Sequence, residues 1–402
     1  MWLELLAIVF GIWLFYICTK SLLSDRQWDE IVAKRWATDR VWQWKDDVAG
    51  YIIGCNYIPS TASNTIEMWR AETFNETLRV IDRELGWAAG IGMNTIRVFL
   101  HSMPFIDDQK EFLNNFDRFL QVAYSHGIRC IPVFFDDVWN PNPKPWEYED
   151  PKPMVHNSRH TSKLRLCRVN NYAVLREYVK TIMEKHKNDG RIIMWDLYNE
   201  PGNPNLLSYY MIELWSKQYY SGLLLHQSFV WARDVNPSQP ITTGIYLRDQ
   251  GWILQLILSW FGVIQLHEFS VAASDVITFH SYSTLSRFTD AVETLKLHNR
   301  PIVCTEYMAR TLNSTVQTHL PYAASVDVGM INWGLVKGRT QTIFPWDSWT
   351  KRYTEEPTVW FHDLLHPDGS PFDQNEITIM KQVAKQSNHN WTDKSSGHDE
   401  LK

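Results

Sequence analysis

Asn199-Glu200-Pro201 comes straight after Trp195-Asp-Leu-Tyr198, so a run with the composition of a buried strand ends in an amide, a carboxylate and a proline. A carboxylate at the rim of an apolar strand is costly unless it is solvated, paired or used. Further along, Glu306 in Cys304-Thr-Glu-Tyr-Met308 stands in the same kind of place. Two carboxyls held about 5–5.5 Å apart are what retaining glycosyl transfer to water requires, one as nucleophile and the other as acid and then base. Whether these two meet depends on the elements that carry them.

Short β-rich runs alternate with helical patterns along most of the chain. Tyr51–Tyr57, Thr95–Leu100, Cys130–Phe135, Ile192–Tyr198, Pro240–Ile245, Val276–His280, Ile302–Thr305 and Met330–Trp333 each read as a buried strand. Between most of them lie helical stretches such as Thr77–Ala89, Glu111–Ser125, Asn171–Lys187, Leu207–Arg233 and Thr289–His298, and Glu376–Lys385 would close the series. Eight βα units without a composition break predict an α/β fold, a (β/α)8 TIM barrel. The residues at the C-terminal ends of its strands are then Asn56 and Tyr57, Arg97 and His101, Asp136 and Asp137, Asn199 and Glu200, His280 and Tyr282, Glu306, and Trp333. Glu200 and Glu306, from the fourth and seventh strands, would face each other across the barrel mouth. Two long aromatic loops, 136–170 with Trp139 and Trp146 and 337–349 with Trp346 and Trp349, should border one cleft.

This ordered set resembles the clan A retaining glycoside hydrolases, most nearly family 5 with its cellulases and mannanases, over roughly Gly54 to Gly338. The resemblance implies Glu200 as acid/base, Glu306 as nucleophile, and Arg97, Asn199, His280, Tyr282 and Trp333 as supporting residues. Asn56, Trp139 and Trp346 are further candidates for holding substrate. Arg97 and the Tyr282 hydroxyl would keep Glu306 ionised, and a less cationic, partly apolar setting would keep Glu200 protonated. Asn199 would grip the sugar 2-hydroxyl, and Trp333 would floor the sugar being cleaved. Bland roles compete with these. Arg97 could merely neutralise Asp136, His280 could be a satisfied core histidine, and His101 reads as structural. Asp136 and Asp137 lack a clustered His or third carboxylate, so no metal or organic cofactor is expected.

A net charge of −6 gives no basic footprint, so nucleic acid is not an expected partner. The 20 tryptophans exceed what a core needs and suit a sugar-binding protein. The five cysteines are odd in number, widely spaced and form no C-x-x-C pair, which argues against a zinc site or a disulfide framework. Leu5–Cys18 is an apolar run, so residues 1–23 read as a single-pass membrane anchor. Lys20 and Arg26 on its C-terminal flank favour a cytoplasmic barrel by the positive-inside rule, whereas Asn-x-Ser/Thr sites at Asn75, Asn313 and Asn390 suit a lumenal or extracellular one, the placement adopted here. Trp28, Val32 and Trp36 at helical spacing make 24–50 a linker and barrel-capping helix. The barrel then spans 51–386 and a disordered polar tail 387–402. Trp252–Ile264 is unusually apolar, and it either packs on the barrel or touches the membrane. The combined expectation is a monomeric, membrane-anchored retaining β-glycosidase acting on oligo- or polysaccharide of the β-1,4-glucan or mannan type. A glycolipid β-glycosidase, a transglycosylase and a non-catalytic carbohydrate-binding barrel are the alternatives.

Overall fold

The computed structural model describes Gly11 and residues 25–138, 151–156, 171–203, 213–246 and 263–396. Strands β1 Ile53–Tyr57, β2 Thr95–Phe99, β3 Arg129–Asp136, β4 Trp195–Asn199, β5 Ile241–Tyr246, β6 Ile277–His280, β7 Ile302–Tyr307 and β8 Gly329–Trp333 run parallel and close in sequence order into a barrel. Each strand is buried along its length, apart from the two ends of β3, because helices cover its outer face and the barrel interior its inner one. That double burial is why the strands appear in the sequence as apolar runs rather than as alternation.

The helices follow from their apolar spacing. In Gln109–Ser125 the residues Phe112, Phe116, Phe119, Leu120 and Ala123 fall on one buried face. Asp108 starts that helix by accepting from the Glu111 amide at 2.9 Å. Helices Phe74–Gly90, Tyr172–His186, Glu213–Val235, Leu285–Lys296 and Val316–Ser325 likewise lie between successive strands.

The N-terminal segment is more than one capping helix. Helix Asp25–Val32 lays Trp28 edge-on against Phe269 at 4.9 Å. It stops there because the Trp36 amide donates to Asp275 Oδ1 at 2.7 Å instead of continuing the helical ladder. Trp36 therefore does not extend the Trp28 face. With Val41 and Trp44 from helix Thr38–Trp44 it packs on Ile131, Ile193, Val276, Val303 and Ile331 at the strands' N-terminal ends, plugging the closed end of the barrel. The final helix, Gln374–Ser396, runs ten residues past the expected start of a disordered tail. No Gly or Pro interrupts that stretch, and the first breaker is Gly397.

The expected anchor over 1–23 lies outside the described residues apart from Gly11, and so does most of Trp252–Ile264. Among the described residues no helix is long and apolar enough to cross a membrane. The two long loops meet where they are described: the Met154 amide donates to Gln341 Oε1 at 2.7 Å, and Trp349 Nε1 donates to the His156 carbonyl at 2.7 Å.

Candidate active site

Strand register brings the polar residues to one end of the barrel. Asn56 pairs with Arg97 and with Trp333, Asp136 with Asn199, and His280 with Glu306. Register slips at Asp196/Asn199, Phe279/His280 and Cys304/Tyr307 interrupt the ladder beside the two glutamates, as bulges do where a side chain must be re-aimed. Glu200 itself sits at φ +48, a left-handed conformation rare for a residue with a side chain. Pro201 and Gly202 (φ +77) complete a tight turn closed by the Asn203 amide donating to the Glu200 carbonyl at 3.0 Å.

The buried Arg97 guanidinium organises the floor. It donates to Asp196 Oδ2 (2.9 Å), Asn56 Oδ1 (2.8 Å), Glu306 Oε1 (2.9 Å) and Asn199 Oδ1 (2.7 Å). The carboxylate it neutralises, besides Glu306, is therefore Asp196 rather than Asp136. Asp136 Oδ1 instead accepts from Asn199 Nδ2 at 2.9 Å, which fixes which face of that amide looks outward. The Tyr282 hydroxyl donates to Glu306 Oε2 at 2.9 Å. His280 Nδ1 stands between the carboxylates, 2.6 Å from Glu200 Oε1 and 3.5 Å from Glu306 Oε2. Asn203 Nδ2 donates to the other Glu200 oxygen. One oxygen of each glutamate and a ring nitrogen of His280 all lie within 4.8 Å of one another.

β5 contributes a space rather than a side chain. A Cβ at Gly244 would lie 2.8 Å from His280 Nε2 and 3.2 Å from an Arg97 nitrogen, so only glycine leaves room for both. Trp333 is buried to 6% exposure and meets Phe99 edge-on at 5.9 Å. Trp346 stands edge-on to Tyr282 at 5.1 Å, beside the glutamates. Trp139 and Trp146 lie outside the described residues. His101 is structural: its ring accepts from the Met103 amide at 3.1 Å and caps a short helix.

The electrostatics differ from expectation at Glu306. Burial pushes its carboxyl above the ordinary value and Glu200 adds to this, against the pull of His280, Arg97 and Tyr282. Arg97 must also balance Asp196, so one guanidinium does not suffice to hold Glu306 low. Two buried carboxyls this close titrate as a pair rather than as independent groups. Burial also raises Asp136 well above its usual range, and Tyr282 likewise stays protonated as a donor.

Among the described residues, two groups have the spacing to hold a cation. In Asp117, His186 and Asp189 the place is taken by Arg191, whose Nη2 donates to Asp117 and Asp189 at 2.6 Å each. In Glu200, His280 and Glu306 the Arg97 guanidinium already supplies the positive charge.

Sequence reasoning missed Asp196, Asn203, Gly244 and His362. Asp196 left a signal, an acid in mid-strand, and Asn203 follows Glu200 in the same motif. His362 left none. It comes from a distant loop to pack against Tyr282 at 5.5 Å and Trp346 at 6.1 Å.

Residues 160–336, reaching from before β4 to just after β8, match the family described as glycosyl hydrolases family 2, TIM barrel domain. This chain is a glycoside hydrolase. Solved structures with the same fold include the endo-1,4-β-mannanase from Rhizomucor miehei (14% identity, TM-score 0.53, covering 85% of this chain and 95% of that one). GH5_18 from Streptomyces cattleya, in complex with GlcNAc, is 14% identical with a TM-score of 0.52, covering 85% and 80%. The exo-β-1,4-mannosidase from Opitutaceae bacterium strain TAV5 is 16% identical with a TM-score of 0.55, covering 84% and 60%. At these identities the likeness is one of fold, and the family 2 and family 5 names meet on the same barrel. No curated protein matches this glycoside hydrolase.

Proposed function

We propose that this glycoside hydrolase is a retaining β-glycosidase acting on β-1,4-linked glycan of the mannan type, with Glu306 as nucleophile and Glu200 as acid and then base. The observation that carries the reading is the Glu200/Glu306 pair, with oxygens within 4.8 Å and His280 between them. That spacing suits direct attack on the anomeric carbon; an inverting pair, about 6.5–9.5 Å apart, leaves room for a water between them. In the first step Glu200, as acid, protonates the leaving oxygen while Glu306, held by Arg97 and Tyr282, forms the glycosyl ester. With the leaving group gone, Glu200 takes a proton from water and the ester is hydrolysed. Asn199, with its Oδ1 on Arg97 and one amide hydrogen on Asp136, keeps a second N–H for the sugar 2-hydroxyl. Mannan-type substrate is favoured over glucan by the names of the structural neighbours.

The test is hydrolysis of aryl β-mannosides, β-mannan and the matching glucosides, followed by proton NMR. Net retention, with the β-anomer of the released sugar formed first, is expected, and an α-anomer formed first overturns the mechanism. Glucosides cleaved faster than mannosides overturn the choice of sugar alone.

We also propose that residues 1–23 anchor the enzyme and leave the barrel lumenal or extracellular, a reading supported by the apolar run Leu5–Cys18 and the three glycosylation sequences. The full chain should stay with membranes through an alkaline carbonate wash and lose mass on treatment with an N-glycosidase. Release in the wash argues against the anchor, and an unchanged mass argues against that topology.

A further inference from the structure

At the closed end of the barrel, opposite the glutamates, three arginines gather around one aspartate. Arg35 comes from the link after helix Asp25–Val32, Arg233 from the last turn of Glu213–Val235 and Arg300 from just before β7, while Asp275 precedes β6. Asp275 is fully engaged. Its Oδ1 accepts from Arg233 Nη2 at 2.8 Å and from the Trp36 amide at 2.7 Å, and its Oδ2 from Arg233 Nη1 and the Ile241 amide at 2.8 Å each. One carboxylate thus answers one guanidinium, and the charges of Arg35 and Arg300 are left over.

Arg35 donates to the Val271 carbonyl at 3.3 Å, a neutral partner. Arg300 is only 5% exposed, and its Nε and Nη1 are buried with no hydrogen-bond partner among the described residues. Asp234, next to Arg233 in sequence, is engaged by Lys34 at 4.0 Å and Lys180 at 3.9 Å. A buried cation without an acceptor is costly. Burial lowers the Arg300 pKa below the ordinary arginine value, Arg35 and Arg233 lower it further, and Asp275 opposes them. Buried donors left open in a native fold call for a bound group that accepts from them. The cluster borders solvent, since Arg35 is half-buried and Lys34 and Leu297, in the same two segments, are exposed.

We propose that Arg35 and Arg300 bind a phosphate-type oxyanion at the closed end of the barrel, a site separate from the catalytic mouth. The chemistry follows from the donors. Two guanidiniums offer forked N–H pairs that match phosphate oxygens, and two uncompensated positive charges suit a group carrying up to two negative ones. A carboxylate, with one charge and two oxygens, satisfies one fork alone. Because Arg35 belongs to the N-terminal segment and Arg300 to the barrel, the anion clamps the plug to the strands it covers. The phosphate has two possible sources, a free ion and a phospholipid headgroup. Helix Asp25–Val32, about 12 Å long, separates the site from the apolar run proposed as the anchor, which favours the headgroup. The site does not depend on the glycosidase reading.

The test uses the full chain in a phosphate-free, non-ionic detergent at constant ionic strength, so that general screening is matched. Thermal melts and calorimetry compare wild type, Arg300→Met and Arg35→Met in chloride and with inorganic phosphate replacing chloride. Methionine keeps the aliphatic stem, so in chloride Arg300→Met should melt at or above wild type, a buried unpaired charge having been removed. Phosphate should then raise the wild-type Tm by mass action and leave the variant behind. Each variant should weaken the Kd for phosphate about tenfold or more, the worth of hydrogen bonds to a charged group. Should Arg300→Met fail to fold, the half-buried Arg35→Met carries the same binding readout. Dihexanoyl phosphatidate distinguishes the sources: binding tighter than that of inorganic phosphate assigns the headgroup, and equal or weaker binding assigns the free ion, either upholding the site. Three results overturn it: neither probe bound by the wild type, a Kd unchanged in the variants, or Arg300→Met melting well below wild type in chloride, which would mean that the guanidinium already has its partner within the chain.

Discussion

At the scale of single residues, Glu200 and Glu306 are near-equivalent in chemistry and separated only by their donors. Arg97 and Tyr282 face Glu306, while His280 and Asn203 face Glu200. The separation predicts different failures. Glu306→Ala removes the nucleophile, so turnover should fall by many orders of magnitude on every substrate. Glu200→Ala should stall on a sugar leaving group, yet with a dinitrophenyl glycoside it should accumulate the glycosyl-enzyme, since no base remains to activate water. Azide should then restore its turnover and give a β-glycosyl azide, whereas azide with Glu306→Ala should give the α product. NMR of the azides checks this, and one anomer from both variants would refute the role assignment. Asp136 belongs to the same scale. Its Oδ2 is buried without a hydrogen-bond partner among the described residues, and its Oδ1 holds the Asn199 amide. Asp136→Ala should therefore lower kcat more than it raises KM, and Asn199→Ala on top of it should cost little more. Fully additive losses in that double-mutant cycle would mean that Asp136 does not act through Asn199.

At the scale of elements, the barrel positions the site through register and bulges, and Gly244 shows how little slack there is. In Gly244→Ala the new methyl meets His280 Nε2 at 2.8 Å, so the imidazole between the glutamates must shift. A displacement approaching 1 Å in a reacting constellation can cost about 100-fold. Such a loss in kcat/KM is expected with the far-ultraviolet circular dichroism unchanged; full activity would mean that His280 is free to move without consequence. The closed end of the barrel gives the contrasting case. Trp44→Ala should destabilise by roughly 3–5 kcal/mol in denaturant titrations, as large aromatic truncations in a core do. Because the plug lies at the opposite end from the glutamates, kcat/KM per folded molecule should stay near wild type, and a selective loss of activity would show the two ends to be coupled.

The same elements explain what was legible in the sequence. Strands buried on both faces announce themselves as apolar runs, and polar residues that end such runs stand out, which is why Glu200, Glu306, Arg97, His280, Tyr282 and Trp333 were found together. Asp196 was visible as an acid in mid-strand, but its partner emerges only when β2 and β4 curve toward each other in the closed barrel. Gly244 and His362 act by leaving or filling space, and a sequence without coordinates has no record of that. Trp36 misled because four-residue spacing from Trp28 through Val32 is helical in form, while the helix end is decided by Asp275, remote in sequence.

At the scale of the whole molecule, buried acids set how stability responds to pH, and two of them pull in opposite directions. Burial raises Asp363 to about 6 from an ordinary 3.8, with Glu84 adding and Thr342, Arg310 and Lys337 opposing. The native state therefore binds this proton more tightly than the unfolded chain does. The stability it contributes is fully present below about pH 4 and lost as pH rises through about 6, a loss of about 3 kcal/mol across that window for a shift of this size. Asp189 behaves oppositely: burial works against it, but hydrogen bonds from Arg191 and His186 hold it well below its usual value, so its contribution is present above about pH 4 and disappears only in stronger acid. From pH 4 to 7 Asp189 is thus nearly constant and Asp363 carries a downward slope. Asp363→Asn should remove that slope, so the stability difference between variant and wild type in urea titrations should move by about 2.5 kcal/mol in the variant's favour between pH 4 and pH 7. A difference that stays flat over this range would mean that Asp363 is ionised throughout, its burial offset by Thr342, Arg310 and Lys337.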